Sequence, residues 1–409
     1  WLKTSWLSRG RAAASPLEVG PLRIKSTAMR SRRSPRHLLR HLVAFSAAAA
    51  AAAEDGSTGR QKVAIVADVG VDDAAGLLWA LASDRLEVLG VAASFGCHWD
   101  VRRTAANART VLRAAGREDV PVFVGSRWAL GQSSPPLTDG MRFHGQDGFA
   151  GEGGPVDGHE PGLALECPAG GCRAAAGPSA AEFLAQTARA WPGEVAVLCF
   201  SSLTDVALAA LLEPSLPWLL KSLLVMGGAV FVAGNVSPLA EANFGRDAAA
   251  AQAVLQAFGG KEAAASSSPP APVVLAPLDV TLQALLTPSD LLRIASSDSA
   301  AAKLWAKAAE HYRRSYCEVG SICRGMPLHD AHTVAYLLDP GLYTNATELN
   351  VEVTVAEEGR PEHGMSFADR RAHAGKAGLS KRQGRVRVLL GVDEERFVRG
   401  FVDHLMKLS

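Results

Sequence analysis

The stretch KVAIVADVGVDDAAGLLWALASD, residues 62–84, sets the fold class. Lys62–Ala67 is a short apolar run rich in Val and Ile, the composition of a buried strand. From Asp72 the pattern changes to a helix with acidic residues in its first turn, where they meet the positive end of the dipole. Asp68, Val69 and Gly70 form the turn between them, and Gly70 permits a sharp bend. Working outward, the same alternation repeats. Strands are expected at Leu86–Ser94, Val120–Val124, Glu194–Cys199, Ser222–Met226 and Val273–Ala276. Helices are expected at Arg102–Ala115, Ala180–Ala190, Thr204–Leu212 and Ala248–Phe258. Such alternation points to an α/β fold, a mostly parallel central sheet with helices on both faces in an open, Rossmann-like arrangement. The Gly/Pro-rich residues 150–178 and the low-complexity residues 259–272 read as loops rather than domain boundaries. Residues 61–409 are therefore taken as one domain.

The chain has 409 residues with 42 Lys+Arg and 41 Asp+Glu, but the balance is uneven. Residues 1–60 carry 11 Lys+Arg against 3 Asp+Glu, leaving 31 against 38 for the body. A mildly acidic body lacks the basic face that meets phosphates, so no nucleic-acid partner is expected. No membrane span is expected either, since no stretch holds ~18 strongly apolar residues once the alanine run is discounted.

From Met29 the N-terminal arm reads MRSRRSPRHLLRH, then LVAFSAAAAAAA, then EDG. A basic segment, an apolar segment and small residues before Glu54 follow the order of a secretory signal peptide. An organelle transit peptide or an alanine-rich tail are the other readings. Residues 1–60 are set apart as a targeting or disordered segment. Secretion or an endomembrane lumen is expected if the arm is a leader, and the cytoplasm if it is no part of the natural protein. Six cysteines include the pairs Cys167/Cys172 and Cys317/Cys323, each spaced to close a small loop or to remain as thiols. Asn345-Ala346-Thr347 is a glycosylation acceptor in a secreted protein.

In open α/β sheets the ligand crevice lies beyond the carboxyl ends of the strands. Three candidate segments sit there. Asp68, Asp72 and Asp73 place three carboxylates within six residues. They repel one another unless a cation neutralises them, and hard oxygen donors suit Ca²⁺ or Mg²⁺. Equally, Asp72 and Asp73 can simply cap a helix. His329-Asp330 offers a proton donor and a further carboxylate, or a capped helix start. Gly234-Asn235 through Glu241-Ala242-Asn243 offers donors and acceptors for hydroxyl recognition, or ordinary turn chemistry.

Taken together, these segments resemble the inosine–uridine-preferring nucleoside hydrolase family. The family's D-x-D-P-G-x-D-D opening matches Asp68, Gly70, Asp72 and Asp73. Its G-P-L-T-N turn matches Ser202-Leu203-Thr204-Asp205. Its M-G-G, G-N and E-x-N elements match Met226-Gly227-Gly228, Gly234-Asn235 and Glu241-Ala242-Asn243, and its H-D pair matches His329-Asp330. The order is preserved from about Lys62 to Arg371.

The resemblance implies Ca²⁺-dependent hydrolysis of the N-glycosidic bond of ribonucleosides to ribose and a free base. It implies a Ca²⁺ held by Asp68, Asp73, Asp330 and the backbone carbonyl of Thr204. It implies that Asp72, Asn235, Glu241 and Asn243 grip the ribose, with Met226 lining its pocket. Asp68 would take the proton of the attacking water, and His329 would protonate the leaving base. A small-molecule nucleoside and a homo-oligomer are the implied partners. The His144–Gly148 segment looks like the family's base-bordering H-G-x-x-G loop.

This chain also departs from the pattern. Val66 and Val69 stand where the family has Asp and Pro, Ser201-Ser202 replaces G-P, and Asp205 replaces Asn. Counting back from Asn107 places His98 where the family uses Asn at the ribose. Tyr312, Tyr316 and Phe244 are candidates for aromatic contact with the base. Two other functions fit parts of the sequence. One is a non-catalytic binder of calcium and ribosides on the same fold. The other is a Mg²⁺-dependent phosphohydrolase, disfavoured because the Asp-x-Asp-x-Thr pattern such enzymes use is missing at Asp68.

Overall fold

A computed structural model of the chain describes residues 59–132, 140–156, 177–259, 269–368 and 386–408. Eight strands form the central sheet: β1 (Gln61–Ala67), β2 (Leu86–Ala93), β3 (Val122–Val124), β4 (Ala196–Cys199), β5 (Ser222–Met226), β6 (Val273–Ala276), β7 (Asn345–Leu349) and β8 (Val386–Gly391). Their spatial order is β3-β2-β1-β4-β5-β6-β8-β7. All neighbours run parallel except the β8–β7 pair at the edge. The inner strands are continuous Val, Ile, Leu and Ala because both faces are covered. β7 carries the mostly exposed sequence NATEL, as an edge strand can.

Nine helices matter to the argument: α1 (Val71–Ala82), α2 (Val101–Ala114), α3 (Ala180–Ala190), α4 (Thr204–Leu212), α5 (Ala242–Arg246), α6 (Ala248–Gly259), α7 (Ala300–Glu318), α8 (Ala331–Leu338) and α9 (Glu394–Leu405). α1 packs against α7, α8 and α9, whereas α4 packs against α3 and α6. These two groups cover the two faces of the sheet.

Trp79 of α1 meets Phe397 and Phe401 of α9 edge-on at 5.5 and 5.6 Å. A buried Trp of this kind stabilises by about 3–5 kcal/mol relative to Ala. Trp305 of α7 is fully buried and donates its indole N–H to the Val71 carbonyl at 2.8 Å. That bond fixes the first turn of α1, and the acidic residues in it, from the far end of the sequence.

The chain runs outward from β1 through β2 to β3, then returns to β4 on the other side of β1. The crevice of an open sheet lies at this reversal, above the carboxyl ends of β1 and β4. Two backbone bonds carry the ladder just past the strand ends, Ser94 N–H to Ala67 and Phe200 N–H to Val66, both 2.8 Å. They hold the segment leading to Asp68 between its neighbours.

Cys317 and Cys323 form a disulfide. Cys97 and Cys199 are buried thiols, and the Cys167/Cys172 pair lies outside the described residues, as does the N-terminal arm up to residue 58. Among the described residues no helix is long and apolar enough to cross a membrane.

Candidate active site

A cleft of about 350 Å³ opens at the carboxyl end of the sheet. Its lining includes Asp68, Asp72, Asp73, Met226, Asn235, Glu241, Asn243, His329 and Asp330. Nine of the eleven residues expected at the site therefore meet in one place, although they come from positions 68 to 330.

The acidic floor is built by the turn after β1. The Asp73 carboxylate accepts the backbone N–H of Asp68 and of Gly70, both at 3.0 Å, and so fixes the turn that presents Asp68. Gly70 is required by space. A Cβ there would lie 2.4 Å from Cys97 Sγ and 2.5 Å from His144 Nδ1. Asp68 Oδ2 accepts the Cys97 N–H. Asp330, at the start of α8, completes the group. One carboxylate oxygen each of Asp72, Asp73 and Asp330 lies within 4.8 Å of the others, and all three residues are buried.

The electrostatics follow from that crowding. Burial, reinforced by the neighbouring carboxylates, pushes the pKa of Asp73 and Asp330 well above the ordinary range. Burial and the charge of Asp68 raise Asp72 to about 6. Burial raises Asp68 as well, and the Arg246 guanidinium opposes that rise. Ionising all four at neutral pH requires added positive charge. Clustered hard oxygens with that requirement fit a divalent cation.

Across the cleft, Asn243 is held by its own amide. Its Nδ2 donates to the carbonyls of Phe200 at 2.7 Å and Met226 at 3.1 Å, which ties α5 to the ends of β4 and β5. The Glu241 carboxylate accepts the N–H groups of Gly228 (2.9 Å), Asn243 (2.8 Å) and Phe244 (3.2 Å). It caps α5 while its edge faces the cleft. Gly228 adopts φ +83°, a left-handed conformation that lets the chain leave β5 sharply enough to place this N–H. Asn235 is exposed at the rim and accepts the Ala242 N–H at 2.9 Å.

His329 sits between two hydroxyls. Nδ1 is 2.7 Å from Thr281 Oγ1, and Nε2 is 2.7 Å from Tyr316 Oη. The Tyr316 ring meets that of Tyr312 edge-on at 4.8 Å, and burial and the charge of Asp72 raise the pKa of both hydroxyls. The tyrosine pair thus lies between the acidic floor and the imidazole. Burial pushes the pKa of His329 down to about 3, so the ring is neutral at physiological pH. His144 is likewise neutral, with its pKa lowered to about 3 chiefly by burial, and its Nδ1 accepts the Val71 N–H at 3.1 Å. The rest of its loop is structural: the Asp147 carboxylate accepts the N–H groups of Phe149, Gly151 and Gly153, each at 2.9 Å.

Two expectations need correction. His98 does not line the cleft. It stacks on Trp99 at 5.3 Å, and its Nδ1 accepts the Asp100 N–H at 2.9 Å. Cys97 occupies the cleft position instead. Thr204 is also absent from the lining. It is buried at the start of α4 and gives its hydroxyl to Asp247 at 2.6 Å. Of the aromatic candidates, Tyr312 and Tyr316 line the cleft, whereas Phe244 is fully buried behind Gly227. The residue missed altogether is Arg246, a cleft-lining guanidinium 3.6 Å from Asp68 Oδ2. An arginine four residues into a polar loop carries no signal of burial.

Comparison with known proteins agrees with this geometry. The model of the inosine-uridine preferring nucleoside hydrolase family matches residues 63–399. A probable uridine nucleosidase of Oryza sativa subsp. japonica is 31% identical over 285 residues, 70% of this chain and 79% of the relative. A pyrimidine-specific ribonucleoside hydrolase of Klebsiella pneumoniae is 30% identical over 336 residues, 82% of this chain and 95% of the relative. Among solved structures, a plant nucleoside hydrolase superposes with a TM-score of 0.70 at 27% identity, covering 85% of this chain and 99% of that one. A purine-preferring ribonucleoside hydrolase from Gardnerella vaginalis gives 0.71 at 25% identity with the same coverage. The acidic turn, the paired His and Asp before α8 and the carboxamide wall of α5 are thus found on a chain that belongs to the inosine–uridine-preferring nucleoside hydrolase family, and it is a nucleosidase.

Proposed function

We propose that this protein hydrolyses the N-glycosidic bond of ribonucleosides in a Ca²⁺-dependent reaction. The observation that carries the proposal is the meeting of Asp68, Asp72, Asp73 and Asp330 beneath a cleft that also holds His329, Glu241 and Asn243. Asp68, Asp73 and Asp330 would hold the ion. Bound there, the cation supplies positive charge that lowers the pKa of water. A carboxylate-rich site prefers Ca²⁺ over softer metals.

The chain's own residues do the rest. Cleavage passes through an oxocarbenium-like ribosyl cation, which buried carboxylates stabilise electrostatically. Asp68, freed of its proton by the neighbouring positive charge, is the base for the attacking water. Asp72, Asn235, Glu241 and Asn243 offer acceptors and donors to the ribose hydroxyls, and Met226 packs beneath the sugar. His329 is neutral, so it acts through an N–H shared with Tyr316 rather than as a standing imidazolium. The Tyr316 hydroxyl, 2.7 Å from Nε2, can relay a proton from the cleft to the ring as the base departs.

Uridine is the first substrate to test, because the plant relatives are named uridine nucleosidases. A secretory destination and a homo-oligomeric state belong to the same proposal. The Cys317–Cys323 disulfide supports the former, since disulfides persist in oxidising compartments. The test is ribose release from uridine, inosine, adenosine, guanosine and cytidine, with and without EDTA. Chelator-sensitive release supports the proposal. Nucleoside-dependent thermal stabilisation with no release would instead favour the non-catalytic binder.

A further inference from the structure

Arg246 ends α5, and its side chain is only 9% exposed. Its Nη1 lies 3.6 Å from Asp68 Oδ2 and 3.1 Å from Asn243 Oδ1, while its Nε has no partner. Among the described residues, Arg142 and Arg246 are the cationic side chains of the cleft lining, and Arg142 is exposed at the rim. Among them, Arg246 is the buried guanidinium that meets the carboxylates of Asp68, Asp72, Asp73 and Asp330. Such a residue is expensive to bury unless it answers an opposite charge. Here the opposite charge is in excess, so Arg246 is retained by the acidic floor and not by full hydrogen bonding.

A tethered cation in this position has two consequences. Before any ion arrives, it offsets part of the repulsion among the carboxylates. A divalent ion held by Asp68 would compete with the guanidinium for that carboxylate, and two cations that share one carboxylate repel each other. We propose that Arg246 is a built-in competitor of the divalent cation, stabilising the metal-free site through Asp68 and weakening its metal affinity. This inference rests on the metal reading of the site given above.

The test is calorimetric titration of chelator-stripped protein with CaCl₂, alongside thermal unfolding with and without the ion. Arg246→Met removes the charge while keeping the bulk, and is expected to bind Ca²⁺ at least about tenfold tighter than wild type. Its metal-free melting temperature falls, and its gain on adding Ca²⁺ exceeds that of wild type. Arg246→Lys keeps the charge and stays within about threefold of wild type. If Arg246→Met folds only with Ca²⁺, the ion has taken over from the guanidinium and the proposal stands. If it folds in neither condition, Arg246→Gln, neutral but able to bond Asn243, carries the same tenfold expectation. Equal or weaker Ca²⁺ binding by the neutral variant, with wild type binding normally, overturns this inference alone. Absence of binding by both overturns the metal reading itself.

Discussion

At the scale of single residues, the site works by opposing burial to charge. Burial drives four carboxylates toward protonation, with repulsion from neighbouring carboxylates added at Asp72, Asp73 and Asp330, while two histidines are driven toward neutrality. His329 illustrates the outcome. With a pKa lowered to about 3, the ring stays neutral above that pH, and its charge does not change across the physiological range. The difference between wild-type and His329→Gln pH–rate profiles is therefore expected to be flat from about pH 5 to 8, with no step near the ordinary histidine pKa of about 6.5. An acid limb centred there and lost in the variant would contradict this. Tyr316→Phe removes the hydroxyl bonded to His329 while leaving the aromatic ring, and should lower kcat by about tenfold or more with little change in KM.

Arg246 and Cys97 show where reading residues in order stops. The carboxylates were legible because three of them crowd one turn, an unusual arrangement on any chain. Nothing around Arg246 separates it from a solvated arginine until α5 folds over Asp68. Cys97 rather than the neighbouring His98 faces the cleft, because the course of the backbone, not residue type, decides which side chain points inward.

At the scale of elements, the turn from β1 into α1 is tightly constrained. Three contacts meet there: the Asp73 carboxylate on two backbone N–H groups, the Trp305 indole on Val71, and Cys97 and His144 against Gly70. Gly70→Ala forces backbone or both neighbours to move and should destabilise the fold by about 3 kcal/mol, read from urea unfolding.

The start of α4 carries a different strain. Asp205 is buried, its carboxylate accepting the Ser126 N–H at 2.9 Å, and burial raises its pKa to about 6. A raised carboxylate pKa means the folded state holds the proton more tightly than the unfolded chain. Its stability contribution is then full below about pH 4 and is lost as pH rises through about 6. Asp205→Asn is accordingly expected to gain on the order of 2–3 kcal/mol over wild type at about pH 8 and little at about pH 3.5. An unchanged difference between the two pH values would refute the assignment.

The parallel strands β1 to β6 and the helices between them were readable because inner strands are short uninterrupted apolar runs. The last third of the chain was not. The buried stripe of α7 is mostly alanine, Ala301, Ala302, Ala306, Ala308 and Ala309, around Trp305 and Tyr312, so its periodicity is faint. The edge strand β7 is polar and pairs antiparallel only with β8, itself separated from it by some forty residues of sequence.

At the scale of the whole molecule, the fold brings an acidic floor, a wall and a buried imidazole together from distant parts of the chain. β1 supplies the acidic turn, α5 the carboxamide wall, and α8 both His329 and Asp330 at its start. The central claim is that the acidic floor binds a divalent ion and that hydrolysis depends on it. Ribose release from uridine and inosine by chelator-stripped protein, before and after restoring Ca²⁺, tests this most directly when repeated with Asp73→Asn. The account predicts activity that vanishes on stripping and returns with Ca²⁺ in wild type, and a loss of about a thousandfold or more in kcat/KM for the variant. Undiminished turnover by stripped wild-type protein, or by a folded Asp73→Asn variant, would contradict it.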